Sequence, residues 1–150
     1  MLESLENAKD ELKRVDHLIF VSLKYTRTVD VLKNVLVRMI EAYDFMIESM
    51  LKYLEEKNMI FEAPTAPHVR ATTLSNQFND EIISEHMRNY IKFKKILKVE
   101  DYESINEFRR HVALITEIDG EEVTINIDFL TEYFKTMKEF IKYVHDKIIQ

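Results

Sequence analysis

A chain of 150 residues that is 46% hydrophobic, lacks cysteine and carries a formal net charge of −6 has the length for one domain and no second core. The missing cysteine excludes disulfides, thiolate metal sites and a thiol nucleophile. The acidic balance argues against broad, sequence-independent nucleic-acid binding, and a single glycine, Gly120, excludes phosphate loops and dinucleotide fingerprints, which need several.

Met1-Leu2-Glu3-Ser4-Leu5-Glu6 sets acids where a secretory signal carries positive charge. The richest apolar stretch is interrupted by Lys33, Arg38 and Glu41, so no run reaches the ~18 residues of a membrane span. A soluble, cytoplasmic protein that engages no membrane is expected.

From Leu2 to about Lys24, Leu5, Ala8, Leu12, Val15, Leu18, Ile19 and Ser22 or Leu23 recur at three- and four-residue steps, the pattern of one helix face turned to a core. Thr28 is placed to cap a second helix running to about Lys57. Its apolar arc includes Val37, Ala42 and Phe45 beside the main stripe and is wider than one contact face needs. This helix is either central to a bundle or reaches a partner chain. Asn58 to Asn76 holds both prolines, Pro64 and Pro67, and reads as a long polar loop.

A third helix, from about Gln77 to Leu97, would turn Phe78, Ile82, Ile83, Met87, Tyr90, Ile91, Ile96 and Leu97 inward, and a short helix would follow near Asp101 to Arg110. Asp119-Gly120 then predicts a two-residue hairpin within residues 112–127. Val112 would face Ile127, Leu114 would face Ile125, and Thr116 would face Val123. The other side of the ribbon, with Ala113, Ile115 and Glu117 against Asn126, Thr124 and Glu122, suits partial exposure. Asp128 would cap a last helix burying Leu130, Phe134, Met137, Ile141, Val144 and Ile148. The expected fold is mainly α: a single-domain bundle of four to five helices with one C-terminal β-hairpin.

Candidate chemistry is sparse. Glu41, Asp44 and Glu48 share a stripe, with Asp16 and His17 on the first helix, but no Glu-x-x-His occurs to complete a di-metal bundle site. The stripe reads as a solvated face, and no metal or cofactor is expected. The histidines, His17, His68, His86, His111 and His145, form no ligand-spaced pair. No serine or threonine lies in a nucleophile motif. The segment from His86 to Lys98 gathers Arg88, Lys92, Lys94, Lys95 and Lys98 without an acid and interleaves Tyr90 and Phe93. Arg109, Arg110 and His111 form a second cluster able to grip phosphate.

Asp16-His17-Leu18-Ile19-Phe20-Val21-Ser22, running into Thr28-Val29-Asp30-Val31-Leu32 and the long apolar helix, resembles in layout the HEPN-type helical domains of prokaryotes, including small archaeal proteins of that form. The resemblance covers roughly residues 8–98. HEPN ribonucleases carry an arginine, four to six residues and then a histidine; here Arg14 and His17 are too close, Arg70 and His86 too far, and Arg110 and His111 adjacent. The non-catalytic members, which act as dimeric binding partners or adaptors, are the nearer comparison.

The reading that follows is a non-enzymatic helical interaction protein, self-associating through Val37 and Phe45. The alternative is RNA binding, or ribonuclease-related action, through Arg88, Lys92, Lys95, Arg109, Arg110 and His111. A small-molecule enzyme working under the 58–76 loop has His68 and Arg70 in its favour.

Overall fold

The computed structural model describes residues 1–149. It is a mainly α bundle with a three-stranded antiparallel sheet. The helices are α1 (Leu2–His17), the single turn α2 (Leu23–Tyr25), α3 (Val29–Glu56), α4 (Pro67–Phe78), α5 (Glu81–Lys98) and α6 (Ile127–Ile148), with a π-helical segment, Leu18–Ser22, between α1 and α2. The strands are β1 (Glu103–Ile105), β2 (Ala113–Ile118) and β3 (Glu121–Ile125).

The central element is α3, packed by α1, α4, α5, α6 and β2. Its wide apolar arc is thereby used inside the chain: Val35, Leu36, Met39, Ala42, Tyr43, Met46, Ile47, Met50 and Leu54 are all buried. Burying each of its larger aliphatic side chains stabilises the fold by about 1.5–3 kcal/mol before ordering costs. Thr28 caps this helix as its sequence position suggests, accepting from Val31 N–H at 3.3 Å. A second cap comes from far along the chain, where the Glu107 carboxylate accepts from Val29 N–H at 3.3 and 3.4 Å.

Several expectations need correction. The polar loop is shorter than 58–76, because α4 begins at Pro67. Proline is favoured at a first helical position, where its missing N–H costs nothing. The Thr/Ser/Asn content of α4 is poor for helix, but Ala71 and Leu74 are buried and Phe78 stacks on Tyr53 at 5.9 Å, so packing overrides propensity. The chain then breaks at Asn79, in the left-handed region at φ 49. Asp80 caps α5 through the N–H groups of Ile82 and Ile83, and Ile82 is exposed.

No helix forms over 101–110. Glu103–Ile105 instead pairs with β2, Glu103 opposite Ile115 and Ile105 opposite Ala113, closing an edge that a lone hairpin would leave open. Asn106 and Phe108 take positive φ, 54 and 67, which ends any regular element there. The hairpin keeps its expected register, with Leu114 opposite Ile125 and Thr116 opposite Val123, turned by Asp119 and Gly120 at φ 52 and 85 as a type I′ loop requires. The ladder stops short of Val112 and Ile127, because Ile127 already opens α6. On the other face of the ribbon Ala113 is buried rather than partly exposed.

The cap of α6 is Asn126, accepting from Phe129 N–H at 2.8 Å, and not Asp128, which lies in the first turn. Asparagine serves as well as aspartate in that role. The buried stripe of α6 is the expected one with Phe140 added.

Candidate nucleic-acid interface

The six basic residues singled out in the sequence do not form one surface. Arg88, Lys92 and Lys95 line a groove of about 390 Å³ between α4 and α5, joined by His68, Thr72 and Ser75 over Ala71, Met87 and Ile91. Two of the three are paired: Arg88 with Glu81 and Lys95 with Asp119, each at 2.8 Å. Lys92 reaches the Tyr133 hydroxyl at 3.5 Å. The interleaved aromatics face inward, Tyr90 1% and Phe93 0% exposed, and neither can stack on a base.

Arg109, Arg110 and His111 lie at the opposite end of β2 from the Asp119 turn that meets Lys95. Six strand residues at about 3.3 Å each put roughly 20 Å between those ends. All three side chains are exposed. Their turn is fixed by Arg109 N–H donating to Asn106 O and Val112 N–H to Arg109 O, both at 3.0 Å. It is also pinned to the start of α3, where Phe108 N–H donates to Arg27 O at 2.6 Å beside the Glu107 cap. Arg27 thus borders the turn directly, with Lys24 and Tyr25 two to three residues before it in the chain.

At this corner Tyr25 is 79% and Phe108 78% exposed. Among the described residues, Lys24, Arg27, Arg109, Arg110 and His111 have no ion-pair partner. Arg27 Nε is buried with no hydrogen-bond partner, an outstanding donor at the base of the corner. The backbone is unusual on both sides. Phe108 sits in the left-handed region, costing a side-chain-bearing residue about 1–2 kcal/mol, and the π-helical segment leads into Leu23–Tyr25. Both features concentrate at functional sites. Sequence reading found the Arg109–His111 half and missed Tyr25, Arg27 and Phe108; the polar break at Lys24–Thr28 between two helices was the available signal.

The acidic stripe on α3 is individually satisfied. Glu41 meets Arg38 at 3.1 Å, Glu48 meets Lys52 at 3.3 Å, and Asp44 accepts from the Tyr90 hydroxyl at 2.5 Å. Burial, together with that bond, raises the Tyr90 pKa well above an ordinary phenol. No cluster of three or more potential metal ligands forms among the described residues. Arg70 closes a cavity of about 430 Å³ beneath residues 63–65, facing Asp44 and Glu48, whereas His68 belongs to the α4–α5 groove. The two residues singled out near that loop are therefore in different cavities. Val37 is 38% exposed and Phe45 partly buried beside Asp44 and Glu48.

His86 is buried against Phe140, ring on ring at 3.8 Å, and shares a 2.7 Å hydrogen bond with the Tyr43 hydroxyl through Nδ1. Burial lowers its pKa to about 4 and pushes that of Tyr43 far above the ordinary phenol value. Asp80 is pushed up by burial, but hydrogen bonds from Tyr143, the Ile83 N–H and Lys147 outweigh that and hold it below an ordinary carboxylate. These groups tie α3, α5 and α6 together.

No family model, curated protein or solved structure matches this chain. Among the described residues no helix is long and apolar enough to cross a membrane.

Proposed function

We propose that this protein is a non-enzymatic binding module whose ligand is single-stranded RNA, held at the corner formed by Lys24–Arg27 and Phe108–His111. One observation carries the reading: two aromatic rings nearly four-fifths exposed beside five unpaired cationic or cation-forming side chains. Stacking on an aromatic ring and phosphate contact with Lys or Arg are the two elements of sequence-tolerant single-strand recognition. Most of the wide apolar arc of α3 is buried within the chain, Ala42 included, while Val37 stays exposed and Phe45 half-buried.

The test is fluorescence anisotropy with a labelled oligoribonucleotide of about 12 nucleotides, within the range of single-strand sites. Tyr25→Ala and Phe108→Ala should each weaken binding about 5- to 150-fold, following ~1–3 kcal/mol per stacked base. With four permanent cations at the corner, log Kd should rise against log salt with a slope of about 3. Retention of full affinity by the Tyr25→Ala/Phe108→Ala double variant would refute the assignment.

The α4–α5 groove supports a second reading, docking of an acidic protein segment. Its Arg88 and Lys95 pairs use carboxylates on exposed side chains, Glu81 81% and Asp119 72% exposed, which an incoming carboxylate can displace. Lys92→Glu with Lys95→Glu would abolish such docking and leave the RNA corner intact.

A further inference from the structure

A separate groove of about 470 Å³ runs between α1 and α6. Lys9 and Lys13 stand on one wall and Lys138 and Lys142 on the other, each pair four residues apart and therefore on one helix face. The floor is apolar, made by Leu12, Phe134 and Ile141. Phe20, 51% exposed, meets Phe134 edge-on at 6.2 Å and extends that floor toward solvent. Asp16 is the one acid along it.

Charge is distributed unevenly between the walls. Lys9 meets Glu6 at 3.2 Å and Lys13 meets Asp10 at 4.0 Å, both through exposed side chains. Lys138 and Lys142 have no ion-pair partner among the described residues. Lys138 instead lies over the Phe134 ring, 5.4 Å from its centroid. In a chain of net charge −6, the local reversal of sign lies on the α6 wall, where Lys138 and Lys142 face the apolar floor unpaired, while Glu6 and Asp10 offset the lysines of α1.

We infer that this groove binds a free single-chain anionic amphiphile of the long-chain carboxylate class, its head among Lys138, Lys142 and the α1 lysines and its tail along Leu12, Phe134 and Phe20. The volume is that of a small-ligand site, within the usual ~300–1,000 Å³. Each lysine pair spans only about 6 Å along its helix, too short a rail to hold an acidic partner helix by repeated contacts. An apolar floor suits a methylene chain and gives a phosphate-rich polymer nothing to bury, which distinguishes this groove from the RNA corner.

Titration calorimetry of the full chain with dodecanoate, kept below its critical micelle concentration, tests the inference. The expected result is one saturable site per chain. Lys138→Glu/Lys142→Glu should weaken it at least about tenfold, Phe20→Ser should weaken it less, and dodecanol, with the same tail and no charge, should bind at least about tenfold more weakly than dodecanoate. The lysine variants alter exposed side chains, and an unchanged thermal melt verifies that they fold. No saturable heat, equal binding of dodecanoate and dodecanol, or undiminished binding by the double lysine variant would overturn the assignment. Binding only to anionic phospholipid vesicles, with none to monomeric dodecanoate, would also overturn it in favour of a membrane surface contact. RNA affinity of the same variants, measured in parallel, is expected to be unchanged.

Discussion

His86 makes the stability of this protein depend on pH in a window where its exposed carboxylates are still ionised. In the unfolded chain its imidazole titrates near 6.5; in the fold, burial holds it neutral down to about 4. Below the higher value the unfolded state binds a proton that the folded state refuses, and proton uptake favours whichever state takes it. The contribution of the neutral, buried ring is therefore fully present above about pH 6.5 and is lost as pH falls toward 4. Integrated between pH 7 and pH 5, the difference amounts to about 2 kcal/mol, a large share of the ~5–15 kcal/mol that holds a domain folded.

Urea denaturation at pH 7 and pH 5 measures this, with His86→Gln as the control. Glutamine can still accept from the Tyr43 hydroxyl but does not titrate. The variant should be less stable at pH 7, having lost the stack on Phe140, yet its loss of stability between the two pH values should be smaller by about 2 kcal/mol. His17, His68, His111 and His145 are common to both proteins and cancel. Glu85 and Glu139, which border the same cavity as His86, also remain in both. Equal pH sensitivity of the two proteins would show that His86 is not held neutral and would refute the reasoning.

The corner and the outer face of α3 give two further expectations. Phe108→Gly should fold at least as stably, since glycine accepts positive φ at no steric cost and offsets its own chain entropy by relieving about 1–2 kcal/mol of strain, while RNA affinity falls; a substantial loss in thermal stability would mean that the ring supports the fold rather than a ligand. Val37→Glu should leave the solution mass by light scattering unchanged, because most of the apolar arc of α3 is buried within the chain and Val37 is an isolated exposed residue on it; a fall in mass would restore α3 as an interface between copies.

Periodicity located the long helices because their apolar residues recur with the period of the face they bury, and Leu130, Phe134, Met137, Ile141, Val144 and Ile148 are all buried. The hairpin was equally legible, since Asp119-Gly120 is a local instruction that fixes register. What escaped was set by distant contacts. Thr/Ser/Asn-rich α4 exists because Ala71 and Leu74 find a core. Glu103–Ile105 becomes a strand because β2 offers it an edge. The helix expected at 101–110 instead left its basic residues on a turn docked at Arg27. The basic run of α5 illustrates the remaining difficulty: composition made Tyr90 and Phe93 look like stacking platforms, but Tyr90 already stood on the inward stripe, and Phe93, three residues on, joins it in the core. Tyr25 and Phe108, both exposed, are far apart in sequence, and the backbone hydrogen bond from Phe108 to Arg27 brings the segment that carries Phe108 to the one that follows Tyr25.

A net charge of −6 is compatible with the proposed site for a polyanion. At physiological ionic strength charges are screened beyond about 8 Å, so a phosphate at the corner responds to its nearest groups rather than to the whole chain. The nearby acid Glu107 is engaged with the N–H of Val29, where the positive end of the α3 dipole stabilises it. Glu41 and Glu48, which contribute to the negative total, stand further along α3 and are paired with Arg38 and Lys52. The fold therefore occupies Glu107 with capping while leaving the cations of the corner without ion-pair partners. Sign is distributed by element, and that distribution, more than the total, determines what each face can hold.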